Sequence, residues 1–198
     1  MARPDIADQL VHFTRGANLT EAFGSLCSII DQRSIRGNNA LIRGGYRCVC
    51  FSEAPLKSLV NGLVNPAAYS RYSPFGIVFE KRWIFDQGER PVIYQPDDEY
   101  TTLNETHRWR HMRYEPTNHD PVDFTWEREW RIRTDALQFD PAHAGIVVPE
   151  GDWTRLLKNA HNEQQAWQVF EYSQVLDMHL AEEYREPFGW RIFPICAF

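Results

Sequence analysis

Apolar and polar residues alternate in short bursts along this chain, and only a few stretches keep a helical spacing. QLVHFT (9–14) puts Leu10, His12 and Thr14 on one face of a strand and Val11 and Phe13 on the other. Leu19, Ala22, Phe23, Leu26, Ile29 and Ile30 then recur at helical spacing as far as Arg33, behind Asn18 or Thr20 as a cap. SIRGNNALIRGG is irregular, with turn signals at Gly37, Gly44 and Gly45. YRCVCFSE (46–53) returns to alternation: Tyr46, Cys48, Cys50 and Ser52 face one way, Arg47, Val49, Phe51 and Glu53 the other. Pro55 suits the first turn of a helix through about Val64. FGIVFE (75–80) and PVIYQ (91–95) predict two strands, joined by a turn or short helix over KRWIFDQGER. The polar stretch 96–121 has no amphipathic pattern and reads as a surface excursion. FTWEREWRIR (124–133) and GIVVP (145–149) predict strands, and 153–157 and 163–178 predict helices. The apolar tail WRIFPICAF packs back as a strand or a covering segment, so that 160–198 forms a C-terminal helix and tail on the core.

Short strands dispersed among helices place the chain in the α+β class. The expectation is a single domain, 1–198, with a curved mixed or antiparallel sheet flanked by helices. Its 198 residues, 43 % of them hydrophobic and 14 % aromatic, suffice for one sizeable core. A formal net charge of -6 gives no whole-chain argument for nucleic-acid binding. One segment runs against that balance: Arg15, Arg33, Arg36, Arg43, Arg47 and Lys57 outnumber Glu21, Asp31 and Glu53, and a phosphate-bearing ligand would suit it. Cys48 and Cys50 are too close for an ordinary disulfide, and no further ligands follow at zinc spacing. The start, MARPDIADQL, has no apolar signal core and no run approaches a membrane span, which together predict a reduced cytoplasmic protein.

As a strand, FTWEREWRIR places Thr125, Glu127, Glu129, Arg131 and Arg133 on a polar face and Phe124, Trp126, Arg128, Trp130 and Ile132 on a largely apolar one. Taken alone, the polar face is an ordinary solvated one with cross-strand charge pairs, which contribute little. Glu-x-Glu on one strand also sets two carboxylates ~6.5 Å apart along the backbone. One can hold a ribose hydroxyl or steady an oxocarbenium, the other can orient a nucleophile. His12, Thr14 and Arg15 in HFTR, and Ser52 in CFSE, offer further polar groups for such a site. The plain alternatives are a structural His12 and a helix start at Ser52–Pro55. A Cys50–His12 nucleophile pair lacks a third group, and the His107, His111, His119, Glu105 and Glu115 region lacks a helical face for a metal. GxGxxG and GxxxxGK[ST] are absent.

VHFT, YRCVCFSEAPL, YSPFGIVFEKRWIFDQGERPVIY and WEREWR together resemble the AbiGi-type family of bacterial abortive-infection proteins over about residues 10 to 150. The matching positions include His12, Cys50, Phe51, Pro55, Gly76, Ile77, Lys81, Trp83, Gly88, Pro91, Val92, Tyr94 and Glu127 to Arg131. Ser52-Glu53-Ala54 departs from the aspartate-isoleucine turn usual there, and Ser73-Pro74-Phe75 precedes Gly76. The resemblance implies a role in phage defence or a toxin–antitoxin system, with a cognate toxin or antitoxin protein as partner. More distantly, the order of an early His-x-Thr, a central Ser strand and a late Glu-x-Glu is similar to mono-ADP-ribosyltransferases of the DarT type, though Phe-Ser-Glu stands for the usual Ser-Thr-Ser. That likeness implies an ADP-ribosyltransferase-like fold with NAD as substrate. It makes Glu129 the catalytic carboxylate, with Glu127 assisting. His12 and Thr14 hold the nicotinamide-ribose side, Arg15 or Arg47 meets the phosphates, and Ser52 supports the pocket. Nucleic acid as acceptor rests on this likeness alone. The alternative expectation is a non-catalytic antitoxin or regulatory protein, in which the same polar strand is an interaction surface. An enzyme needs His12, Ser52 and Glu129 in one cleft; an interaction protein leaves them apart and carries an exposed apolar patch.

Overall fold

The computed structural model describes residues 7–56 and 73–195. Strand β1 (Gln9–Phe13) leads into helix α1 (Leu19–Gln32). Asn18 starts the helix by accepting from the Glu21 amide at 2.9 Å, while the Glu21 carboxylate reaches back to the Ala17 amide, so two otherwise orphaned donors are satisfied at once. Arg33 ends it in the left-handed region, φ 48°, with its amide on the Ile29 carbonyl. The chain continues through β2 (Ser34–Arg36), β3 (Cys48–Ser52), β4 (Gly76–Glu80), the short helix α2 (Lys81–Asp86), β5 (Arg90–Pro91), β6 (Ile93–Gln95), β7 (His111–Arg113), β8 (Glu129–Arg133), β9 (Ala136–Gln138) and β10 (Ala144–Pro149). It closes with α3 (Trp153–Tyr172), α4 (Met178–Glu183) and β11 (Arg191–Ile195).

Seven strands form one mixed sheet in the order β11-β10-β4-β1-β3-β8-β5. Every pairing is antiparallel except β10 with β11. The outer strands are β5, whose second residue is Pro91, and β11, which sets Pro194 opposite Val148. One face carries the main core: Leu10, Val49, Phe51, Ile77, Phe79, Trp130, Ile132, Ile146 and Val148 close against Ala22, Leu26 and Ile30 of α1 and Leu157 of α3. This is the alternation of the sequence made solid, since each strand sends every second residue to that face. Val11, Val78, Val147 and Ile195 form a smaller cluster on the other face. Gly76 opens β4 where a side chain does not fit, because a Cβ there would sit 2.6 Å from the His12 carbonyl oxygen. The described residues thus form an α+β domain with a mixed sheet and flanking helices.

The structure departs from the alternation at its most regular stretch. FTWEREWRIR is not one strand. Thr125–Glu127 is a 3-10 turn and β8 begins only at Glu129. The local cause is Asp123, whose carboxylate accepts from the Thr125 amide at 2.9 Å and hydroxyl at 2.6 Å and bends the backbone. Arg128 follows in the left-handed region at φ 45° and resets the chain direction. Glu127 therefore does not share a strand face with Glu129, and Trp126 is 37 % exposed instead of anchoring the core. The two expected helices at 153–157 and 163–178 are one helix, α3, followed by the separate α4, which Asp177 caps. The irregular 34–45 stretch contains β2, paired with β9. PVIYQ is split between β5 and β6, and 96–121 contributes two 3-10 turns and β7, with Trp109 and His111 buried against the sheet. The helix expected from Pro55 to Val64 falls mostly on 57–72, outside the described residues.

Candidate functional site

β1, β3 and β8 are neighbours, so VHFT, CFSE and EREWR lie side by side. Their register decides which side chains meet. Val11 stands opposite Val78 and Ser52, and Ser52 stands opposite Glu129. Val11, Ser52 and Glu129 therefore share one face. His12, opposite the core residue Ile77, belongs to the other. Only one residue pair, Val11 with Ser52, joins β1 to β3. Beyond it the His12 ring spans the gap, with Nδ1 2.8 Å from the Cys50 carbonyl oxygen and its edge on Phe51. Burial, against the favourable bond to that carbonyl and with help from Arg15, lowers the His12 pKa and favours the neutral ring.

The Glu129 carboxylate is 6 % exposed and already engaged. Arg131 Nε donates to its Oε1 at 2.7 Å and Nη2 to its Oε2 at 3.2 Å. Nη1 donates to the carbonyls of His111 at 2.7 Å and Trp109 at 3.2 Å, and Nη2 also faces Met112 Sδ at 3.9 Å, so the 96–121 excursion covers this pair. Tyr94 Oη accepts from the Glu129 amide at 3.2 Å and donates to the Phe124 carbonyl at 3.3 Å, fixing the start of β8. A buried pair of this kind adds little net stability over apolar residues, but losing one partner strands a charge. Burial pushes the neighbouring Cys48 thiol up to about 11 and Cys50 well above its ordinary value, with Glu129 adding to the shift at Cys50. Neither is a poised nucleophile.

The other expected ligands are mostly spoken for. Thr14 is buried and ties the segments together: its hydroxyl donates to the Ala22 carbonyl at 2.9 Å, and its own carbonyl accepts from Ser73 Oγ at 2.7 Å. Ser52 Oγ donates to the Glu127 carbonyl at 2.7 Å and accepts from the Ala54 amide at 3.2 Å, a local serine turn. Arg15 is exposed. Arg47 sits five residues from Ser52, ~17 Å along an extended strand, and pairs with Asp135 at 3.1 Å. Arg33 and Arg43 are likewise paired, with Glu186 and Asp97, so three of the five described basic residues of the 15–57 segment are held in ion pairs within the fold. Ser52 and Glu129 are thus brought together and His12 is held on the far side of the sheet. Among the described residues no group of three or more His, Cys, Asp or Glu side chains is placed to hold a metal ion.

A second polar cluster lies on the core face. Glu53 accepts from Lys81 Nζ at 2.5 Å and from Trp130 Nε1 at 2.7 Å. Glu89 is 0 % exposed, and neither of its carboxyl oxygens finds a hydrogen-bond partner among the described residues. Burial, reinforced by the Glu53 charge and opposed by Lys81, pushes Glu89 up to about 9. Alternation already put Glu53 in phase with Val49 and Phe51, a legible sign of a carboxylate aimed into the core. Glu89 follows a glycine turn and carries no such signal. Comparison with family models, curated proteins and solved structures finds no match for this chain.

Proposed function

We propose that this protein is a non-catalytic interaction protein, the antitoxin or regulatory component of the abortive-infection type of system that its motifs resemble. The observation that carries the reading is the surface of α3 and α4. Trp167, at 67 % exposure, and Phe170, Val175, Met178, Leu180 and Tyr184 are all exposed within the stretch 167–184. Two of these rings, Trp167 and Phe170, pack on one another 6.0 Å apart and face solvent together. Scattered apolar residues are normal on a surface, whereas a cluster of large ones marks a contact region. The polar strand is not the contact surface expected for such a protein, because Glu129 and Arg131 are buried and satisfy each other in the interior; His12 stands apart from them on the other face of the sheet. The test is co-expression of the tagged chain with the proteins encoded beside it. A stoichiometric complex that is lost when Trp167 and Phe170 are both changed to Asp supports the reading. A chain that stays monomeric with each of them, or a complex indifferent to both changes, overturns it.

A second reading has its own observation: the three segments that are similar to DarT-type ADP-ribosyltransferase motifs occupy the adjacent strands β1, β3 and β8, and β1 and β3 part beyond a single pair. On that reading the fold is ADP-ribosyltransferase-like and NAD enters at the gap. Glu129 is then the catalytic carboxylate with Glu127 assisting. His12, Thr14, Arg15, Arg47 and Ser52 bind NAD, and the Glu129–Arg131 pair must open to admit the ribose. Labelled NAD with protein and nucleic-acid acceptors supplies the test. Transfer or hydrolysis that is abolished in Glu129→Gln supports it, and no turnover or binding removes it.

A further inference from the structure

Beside the exposed rings lies a groove of about 750 Å³, between the end of α1, the outer face of α3 and the loop 186–190. It falls within the ~300–1,000 Å³ typical of ligand sites. Its walls are pinned before any ligand arrives. Gln165 Oε1 accepts from the Glu186 amide at 2.8 Å, His161 Nε2 lies 3.0 Å from the Glu186 carbonyl, and Arg33 pairs with the Glu186 carboxylate. Its lining carries two carboxylates, Asp31 and Glu171, and one amide, Gln164, that have no side-chain partner among the described residues. Trp167 and Trp190 add aromatic faces to the same groove.

We infer that this groove receives lysine or arginine side chains from a basic amphipathic helix of a partner protein, whose apolar stripe covers Trp167 and Phe170. This inference rests on the interaction reading above and names its chemistry. With Glu186 neutralised by Arg33, the unpaired charge of the lining is that of Asp31 and Glu171, both negative. The same two helices carry Glu163, Glu182 and Glu183 against Arg155 and Lys158, and among the described residues only Glu182 of these three is in an ion pair, with Arg185. Basic side chains entering the groove meet unpaired carboxylates and aromatic faces, a combination that suits guanidinium or ammonium. An anionic ligand would meet like charge. A second copy of this chain would as well, since it carries a net charge of -6 and would bring the same acidic rim to the contact. Lateral apolar contact with an inserted polar anchor is the helix-in-groove mode of recognition.

Two labelled helical peptides with one apolar stripe and opposite polar faces, one of Lys and Arg and one of Glu, serve as probes in fluorescence anisotropy. The basic peptide is expected to bind saturably and more weakly as salt is raised, and the acidic peptide not to bind. Asp31→Asn with Glu171→Gln, both exposed and away from the core, is expected to weaken the basic peptide at least tenfold, and Trp167→Ala to weaken it as well. Equal binding of both peptides, no binding of either, or indifference to the neutralised carboxylates overturns the inference. The same variant separates this from failure of the interaction reading. A co-expressed complex that survives Asp31→Asn/Glu171→Gln but is lost on Trp167→Asp/Phe170→Asp leaves an interaction protein with a different occupant, whereas no complex at all removes both.

Discussion

Glu89→Gln isolates a single buried proton. Glu89 titrates near 9 in the folded chain against an ordinary 4.5. Its folded pKa is raised, so its contribution to stability is fully present below about 4.5 and is lost as pH rises through about 9. Between those limits the unfolded chain has released a proton that the folded chain keeps. At ~1.36 kcal/mol per unit, holding that proton costs about 3 kcal/mol at pH 7 and about 6 kcal/mol above pH 9. Glutamine has the same shape, is neutral at every pH and releases nothing on unfolding. The constant difference between a buried amide and a buried acid shifts the two proteins' curves vertically; only the proton gives a slope. Urea unfolding followed by tryptophan fluorescence at pH 5, 6, 7 and 8 measures it. The variant is expected to gain about 1.4 kcal/mol on the wild type for each pH unit across that range. Parallel curves would mean that Glu89 is ionised in the folded chain and that burial does not hold its proton.

Arg131→Met leaves the buried Glu129 charge unpaired and is expected to cost about 3–5 kcal/mol in the same unfolding assay, while Glu129→Leu with Arg131→Met together costs far less; equal losses would show that the pair is not internally compensated. The pKa of His12 is lowered, so its part of the stability is present above about 6.5, the unfolded value, and is lost as pH falls; His12→Phe is expected to flatten the acid side of the pH–stability curve, and an unchanged curve refutes it. Gly76→Ala places a methyl against the His12 carbonyl and is expected to unfold the chain or lower its melting temperature sharply, checked by circular dichroism. Cys27 and Cys48, both pushed up to about 11, are expected to react with iodoacetamide at pH 8 much more slowly than a free thiol, read by mass spectrometry of the folded and the denatured chain.

Strand positions were legible wherever burial alone selected them. Leu10, Val49, Phe51, Ile77 and Phe79 keep strict period-two phase because they all face the main core, and a slip by one residue would turn them away from it. The end of α1 was legible for a similar reason, since its apolar spacing stops where Arg33 turns left-handed. FTWEREWRIR shows the limit of such reading. Its alternation suits a strand, but Asp123, outside the stretch, captures Thr125 and bends the first half into a turn. The fate of Glu129 was hidden for a different reason. Period two correctly put it in phase with Arg131, and nothing in that phase says that Trp109 and His111, some twenty residues upstream, would offer their carbonyls to Arg131 and seal the pair indoors. Contacts made across the chain leave no local periodicity. The same holds for Glu89, whose neighbours Glu53 and Lys81 arrive from two other elements.

The prolines at the two outer strands limit how this protein can be approached. A sheet edge normally offers a ladder of amide donors to any extended chain that comes beside it. β5 is two residues long and one of them, Pro91, has no donor; β11 loses a donor at Pro194. A visiting strand therefore finds both edges of the seven-stranded sheet broken. Self-templated growth of the sheet is discouraged, and so is recognition by strand addition. Access falls to surfaces built from side chains, such as the exposed apolar residues of the 167–184 stretch.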